Sequence, residues 1–443
     1  LHLSQEAFKH LDDDDLVVLI EDDAFYRMRP FHKKRIVALM SAMRHHEATL
    51  KALGFNVRFI QGDTKETLKK LNPDELLTIQ ATDADIVAWQ SSIIHGLGIS
   101  HQAFHDAQFI LKESDIKARL SKRPYKMDPF YRAMRKDYNI LMDGDKPIQG
   151  AWSFDKENRK KLPKNTFIPE PKWPELDPMT QDVMAYVNDH FQAHPGEVDG
   201  FRQPVTHAEA KALADHFFKE RLATFGPYQD ALTTQYKDVS HSMVSQALNT
   251  GLLDPIALVK QAETKLSEGV PINSVEGFIR QILGWREYIR GIYLKEMPGY
   301  HDHNHYGHTR NLPHYYWDGD TKMHCVRDAT THVIEDGYAH HIQRLMVLGN
   351  FANLAGVNPK EVNDWFLEMF VDSHDWVVTP NVIGMALHAD GGLMATKPYI
   401  SSGSYIHKMG DYCDSCYYDV KAKTGEKACP FNALYWNYID RHM

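Results

Sequence analysis

Four cysteines constrain this 443-residue chain more than any other feature: Cys325, Cys413, Cys416 and Cys429, the last followed by Pro430. The spacing is C-x2-C-x12-C-P plus one distant partner. A fold that gathers all four must bring a loop near the C-terminus back onto an earlier helix. Zinc and a [4Fe–4S] cubane both accept four thiolates, and spacing alone leaves both open. The solitary Cys325, where a zinc ribbon would bring a second C-x-x-C knuckle, and the proline after the last ligand tilt the reading toward the cluster.

No apolar run approaches the roughly 20 residues that cross a bilayer. The N-terminus lacks the basic start and apolar core of a signal peptide. A cytoplasmic protein without a membrane partner is expected, and in a reducing compartment four cysteines bind metal or do chemistry rather than form disulfides. The net charge of −9 argues mildly against nucleic acid, whose phosphates need clustered Lys and Arg. Such clusters do occur, at Lys117 to Lys126, Arg132 to Lys136 and Arg159 to Lys161. On charge alone they read as solvated helix faces.

The length predicts two or three domains. Residues 1–125 alternate β-branched runs (Leu16 to Ile20, Val57 to Ile60) with a helical stretch, Lys33 to Leu53, which predicts a parallel, Rossmann-like α/β domain. Because the chain starts at Leu1 in a loop, a leading segment and a first strand are expected to be missing. Residues 126–200, rich in Pro, Lys, Asp and Trp, read as a connector over the surface. Residues 201–443 read as all-helical: His207 to Ala223, His241 to Thr250, Pro255 to Ser267, Val275 to Lys295, Ala329 to Ala355 and Asn358 to Phe370.

Within this frame Val275 to Tyr288 and Ala339 to Met346 resemble the flavin-binding core of the photolyase/cryptochrome superfamily. The cysteines, Ser401 to Tyr405, Cys429 to Trp436, Phe130 to Lys136 and Trp152 to Arg159 narrow the resemblance to its iron–sulfur bacterial branch, which includes (6-4) photolyases. The likeness covers nearly the whole chain. It implies an α/β antenna domain followed by an all-α FAD-binding domain, acting as a monomer on ultraviolet-damaged DNA, double- or single-stranded.

The resemblance also assigns residues. His241, Ser242 and Ser245 match the segment that holds the FAD phosphates; with Ser242 and Ser245 one helical turn apart, hydroxyls and helix amides can meet a pyrophosphate. Capping is the plain alternative for a Ser pair. Gln281, Trp285 and Arg286 on successive turns offer an apolar plane beside polar groups. Arg344, Asp375 and Asn381 match positions around the flavin ring, where a reduced, anionic flavin needs positive charge and donors. His341, assisted by His340, matches the proton donor to the lesion, since a histidine titrates near neutrality. Tyr399 and Tyr405 match the lesion pocket. Trp317 and Trp365 match the electron route from the surface, with Phe366 next to Trp365 where a relative uses Tyr.

The implied activity is light-driven repair of (6-4) pyrimidine photoproducts by electron transfer from excited reduced FAD. The implied cofactors are FAD, the [4Fe–4S] cluster and an antenna, 6,7-dimethyl-8-ribityllumazine. A blue-light photoreceptor with the same cofactors, and a light-independent iron–sulfur DNA-binding module, are the rivals. The run His301 to His308 has metal-like spacing, but histidines alternating on a polar loop read better as solvated.

Overall fold

The computed structural model describes residues 1–12 and 14–442. In the first part, strand β1 (Val17–Glu21) is joined through the helix Lys33–Ala52 to the parallel strand β2 (Val57–Gln61), with Val17 opposite Val57. Strand β3 (Glu75–Ile79) is joined through Ala84–Leu97 to the parallel strand β4 (Ser100–Phe104) in the same way. These strand–helix–strand units are the α/β domain that the alternating pattern predicts. The two pairs form separate two-stranded sheets among the described residues.

The second part is helical, and no described helix is long and apolar enough to cross a membrane. One apolar core runs through both parts, joining Ile36 and Val37 to Leu283, Val347 and Trp365. The connector contributes to it as well. Its helix Met127–Tyr138 buries Phe130, Tyr131 and Met134, and the wholly buried Arg135 donates to the carbonyls of Ile140, Leu141 and Trp152. That stretch therefore packs as part of the helical body rather than lying over it.

Several helices depart from the regular 3.6-residue pattern. π-helical turns occupy Phe217–Arg221, Arg280–Arg286, Gln343–Gly349 and Pro380–Ala386. Each inserts an extra residue per turn, a distortion that recurs at functional sites. The helix expected over 329–355 is two helices: His324–Asp336 ends on Gly337, whose φ of 62° an L side chain tolerates poorly, and the chain restarts before Gln343. Two of the π turns cross closely. A Cβ on Gly349 would stand 2.7 Å from the Cβ of Ala386, so the missing side chain lets the segments bearing Arg344 and Asn381 touch.

Candidate active site

The centre of the helical part is an ion pair. Arg344 reaches Asp372 through both terminal nitrogens, at 3.0 Å each, and the Ser245 hydroxyl donates to the same carboxylate at 2.7 Å. Burial alone would raise the Asp372 carboxyl. The Arg344 charge and the hydrogen bonds from Arg344 and Ser245 outweigh it and hold the group below the usual carboxylate range. Asp372 was not singled out from sequence, where a half-buried arginine asks for a counter-ion but Glu361, Asp364, Glu368, Asp372 and Asp375 all follow its helix.

The structure places Asp375 elsewhere. It accepts from Tyr293 at 2.5 Å and lies 2.9 Å from His301 Nε2, with Thr379 also bonded to it. Its backbone amide and that of Trp376 donate to Asp83, an acid of the α/β domain. Burial and the neighbouring Asp375 charge raise the Asp83 carboxyl. These residues border a cavity of about 230 Å³ between the two parts, lined also by Phe25, Arg29, Arg35 and Gln108. Arg286 turns toward the same side: it donates to the Gln108 carbonyl at 2.8 Å and lies over the rings of Phe109 and Trp376. Trp285 is half-buried against Tyr288, and Gln281 is exposed. Along this π turn the three side chains therefore meet different surroundings.

The segment expected to be helical over 241–250 is helical only at Ser245–Asn249. Met243 adopts a φ of 61°, which breaks the turn, so Ser242 and Ser245 do not stack on one helix. The side-chain amide of Gln246 in this short helix is buried without a partner at either polar atom. Buried polar groups want partners, and a polar cofactor edge laid against this segment would supply them. Asn381 donates to the Val377 carbonyl at 2.8 Å on the π turn that crosses Arg344's.

His241, His340 and His341 converge. The rings of His241 and His340 stack at 5.0 Å and 15°, and His341 stands edge-on to His241 at 5.1 Å. Burial, then the neighbouring histidines, drives the His340 imidazole well below its ordinary range, so it is neutral at pH 7. His341 differs. It is open to solvent, and its Nε2 lies 3.1 Å from Asp230. Burial and then the charge of Asp230 push the Tyr405 hydroxyl up; burial and then Asp155 do the same for Tyr399. Asp230 was missed from sequence, where it sits in no motif. Arg159 pairs with Asp155 and also acts on Tyr405, which puts the basic connector at this mouth.

The aromatic residues run from the surface inward. Trp317 is 38% exposed, whereas Trp365 is fully buried and donates to the Tyr316 carbonyl at 3.1 Å. Trp365 stands edge-on to Tyr316 at 5.1 Å and to Phe370 at 5.6 Å, and the Arg344 guanidinium covers Phe370 at 4.2 Å. Phe366 stacks on Phe370.

All four cysteines line one apolar cavity, with Met323, Ile406, Tyr412, Tyr418, Val420 and Phe431 as its walls. Burial and the other three sulfurs raise Cys325 far above a free thiol, and burial with Cys429 and Cys416 pushes Cys413 up to about 12. Four thiolates here need a cation to hold them. Among the described residues no three of these sulfurs lie within 4.8 Å of one another. The ligands of one tetrahedral zinc with Zn–S near 2.3 Å stand about 4 Å apart or less. Lys161 is close enough to Cys413 to act on its charge, which brings the connector beside the quartet too. From the His301 to His308 run, His301 is engaged by Asp375, and His308, buried rather than solvated, stacks on Tyr306 and lies 3.5 Å from His442.

Known proteins resemble this chain in sequence and fold. The family model for deoxyribodipyrimidine photo-lyase-related proteins matches residues 1–203. A (6-4) photolyase of Agrobacterium fabrum (strain C58 / ATCC 33970) is 40% identical across 97% of this chain and 87% of its own length. Among solved structures, a class III photolyase from Agrobacterium tumefaciens superposes with a TM-score of 0.58 at 15% identity, covering 96% of this chain and 92% of that one. An archaeal photolyase from Sulfolobus tokodaii superposes with a TM-score of 0.61 at 11% identity, with the same coverage. The two solved structures establish the fold, and the full-length identity establishes the lineage: the chain belongs to the photolyase-related family of the photolyase/cryptochrome fold.

Proposed function

We propose that this chain repairs (6-4) pyrimidine photoproducts in DNA under blue or near-ultraviolet light, with FAD and a [4Fe–4S] cluster as its cofactors. The observation that carries the reading is the solvent-facing His341, held by Asp230 beside Tyr405, three residues before the half-buried Arg344 that pairs with the buried Asp372. The full-length likeness to a (6-4) photolyase supports the same substrate and disfavours a light-independent DNA-binding module.

Ser242, Ser245, Trp285, Arg344 and Asn381 would hold FAD, with the unpartnered Gln246 amide facing it. When bound and reduced, FAD supplies one electron to the lesion on absorbing light and takes it back at the end. The remaining steps belong to this chain. A damaged, poorly stacked pair leaves the duplex at low cost and enters the mouth beside Tyr399 and Tyr405. Arg159 and the lysines after it neutralise nearby phosphates. His341 gives its proton to the lesion as a hydroxyl moves between the two bases, and Asp230 stabilises the protonated ring before transfer. His340, buried and neutral, assists by fixing the position of its neighbour. Trp317 and Trp365 would relay to the flavin an electron taken at the surface from a reductant outside the protein.

The four cysteines would hold the cluster, and their wide stance and apolar walls support it over zinc. Gly403 tests this directly, because a Cβ there would stand 2.8 Å from the Cys429 sulfur. Gly403→Ala is expected to displace Cys429 and lower the iron content per chain, measured by metal analysis against wild type. Equal iron in the two proteins contradicts the placement of Cys429 against Gly403, and zinc in place of iron in both contradicts the cluster. The cavity between the two parts suits a planar antenna such as 6,7-dimethyl-8-ribityllumazine, with Arg29, Arg35 and Gln108 as donors.

The deciding experiment is a light-dependent repair assay on a (6-4)-containing oligonucleotide, using anaerobically purified protein whose spectrum carries both flavin and cluster bands. Photoproduct loss in light but not in darkness is expected. No turnover by fully loaded, reduced protein sinks the enzyme reading.

A further inference from the structure

The three histidines at the repair mouth have a property that proton donation does not need. Their ligand atoms all lie within 4.8 Å of one another, the only such group of three histidine, cysteine or carboxylate residues among the described residues. Two of the nitrogens are buried and unpartnered: Nε2 of His241, in a residue 8% exposed, and Nδ1 of His340, in a residue 1% exposed. The third ring is mobile enough to close on them, because His341 projects into solvent. Its Nε2 is engaged by Asp230 at 3.1 Å, which leaves the lone pair on the other ring nitrogen. A carboxylate behind a ligating imidazole fixes the tautomer and raises its basicity, as in the outer shell of many zinc sites.

We propose that His241, His340 and His341 form a binding site for one divalent transition ion of the zinc class, with Asp230 as its outer carboxylate, and that filling this site switches repair off. The donor set selects the ion. Three imidazoles with no first-shell carboxylate suit zinc, cobalt, nickel or copper, whereas magnesium and calcium require oxygen ligands. Three protein nitrogens also leave a fourth position open at the solvent mouth, the arrangement of a three-histidine zinc site. Closing from the observed spacing to metal–nitrogen bonds of about 2.0–2.1 Å requires the stacked His241 and His340 rings to tilt toward a common point and His341 to swing onto it. Binding occupies the His341 nitrogen that would otherwise carry the donated proton, and any proton on that ring leaves to solvent. This inhibitory role rests on the assignment of His341 as donor; the metal site itself does not.

The test uses flavin- and cluster-loaded protein in the dark, titrated anaerobically with cobalt(II) as a spectroscopic probe and then with zinc. One cobalt per chain is expected, with d–d bands and no thiolate-to-cobalt charge transfer, displaced by zinc. The affinity should fall at least tenfold in His341→Ala and in His241→Ala, with flavin absorbance confirming that each variant is folded. Light-dependent repair by wild type should fall in step with zinc occupancy. Cobalt that binds only with thiolate charge transfer, or equally well to both variants, overturns the site. Undiminished repair at saturating zinc overturns the switch. If cobalt binds through the histidines but no repair occurs at any metal level, the site stands and the photolyase reading falls.

Discussion

His341→Ala is expected to keep both chromophores and lose repair. The side chain is 47% exposed and packs little, so its truncation leaves the fold intact. A positioned general acid contributes about 10²- to 10⁴-fold, and a drop of that size is expected in the single-turnover rate under saturating light. Asp230→Asn should cost less, lowering the rate while lesion binding stays near wild type, because the asparagine still bonds the ring but no longer stabilises its charge. If His341→Ala repairs at the wild-type rate, the proton comes from elsewhere. His340 is then the next candidate, although burial among other rings makes it a poor donor.

Arg344→Ala should be the most destabilising single change in the helical part. It leaves Asp372 buried with an uncompensated charge, and breaking such a pair from one side costs about 3–5 kcal/mol. Denaturant unfolding at neutral pH measures it. The double variant Arg344→Ala/Asp372→Asn should recover part of the loss, since the stranded charge is gone. The pH dependence has a definite sign. The folded Asp372 carboxyl lies below its unfolded value, so its contribution is complete above the unfolded carboxylate range, about pH 4, and fades as pH falls through the folded value. Arg344→Ala should therefore flatten the acid limb of the stability curve. An unchanged limb would mean that another group holds Asp372.

Much of this molecule was legible in its residues. Alternating β-branched runs and a 20-residue helix with helical apolar spacing marked the α/β part because strand and helix periods differ sharply. The cysteine spacing announced a shared cavity, and the His340/His341 pair has one ring inside and one outside, although His340 precedes the helix that restarts at His341 rather than lying on it. What escaped was local geometry set by tertiary contacts. A π turn cannot be read from periodicity, nor can the surroundings along it, where Gln281 faces solvent and Arg286 turns to Gln108. Met243 carries no turn signal, yet its left-handed backbone dissolves the expected Ser242–Ser245 stack. Arg344 chose Asp372 over Asp375, which lies only one turn further along, because Asp83 from the other part of the chain captures the backbone at Asp375. No rule local to one segment reports a partner that distant.

The loop that carries three of the cysteines is tied to the repair histidines. The His340 backbone amide donates to the side-chain oxygen of Gln343, whose nitrogen donates to the Tyr412 hydroxyl at 2.9 Å, and Tyr412 adjoins Cys413. Tyr412 is buried and anchors in turn on Asp328. The cysteine loop is thus a mechanical reference for the start of the histidine helix, fixing where His340, and with it His341, begins. Oxidative damage to the sulfurs would be felt at the mouth as a misaimed imidazole, so the chain would lose its chemistry while its pigment still absorbed light. Protein that remains coloured yet inactive after exposure to air is the state this tether would produce.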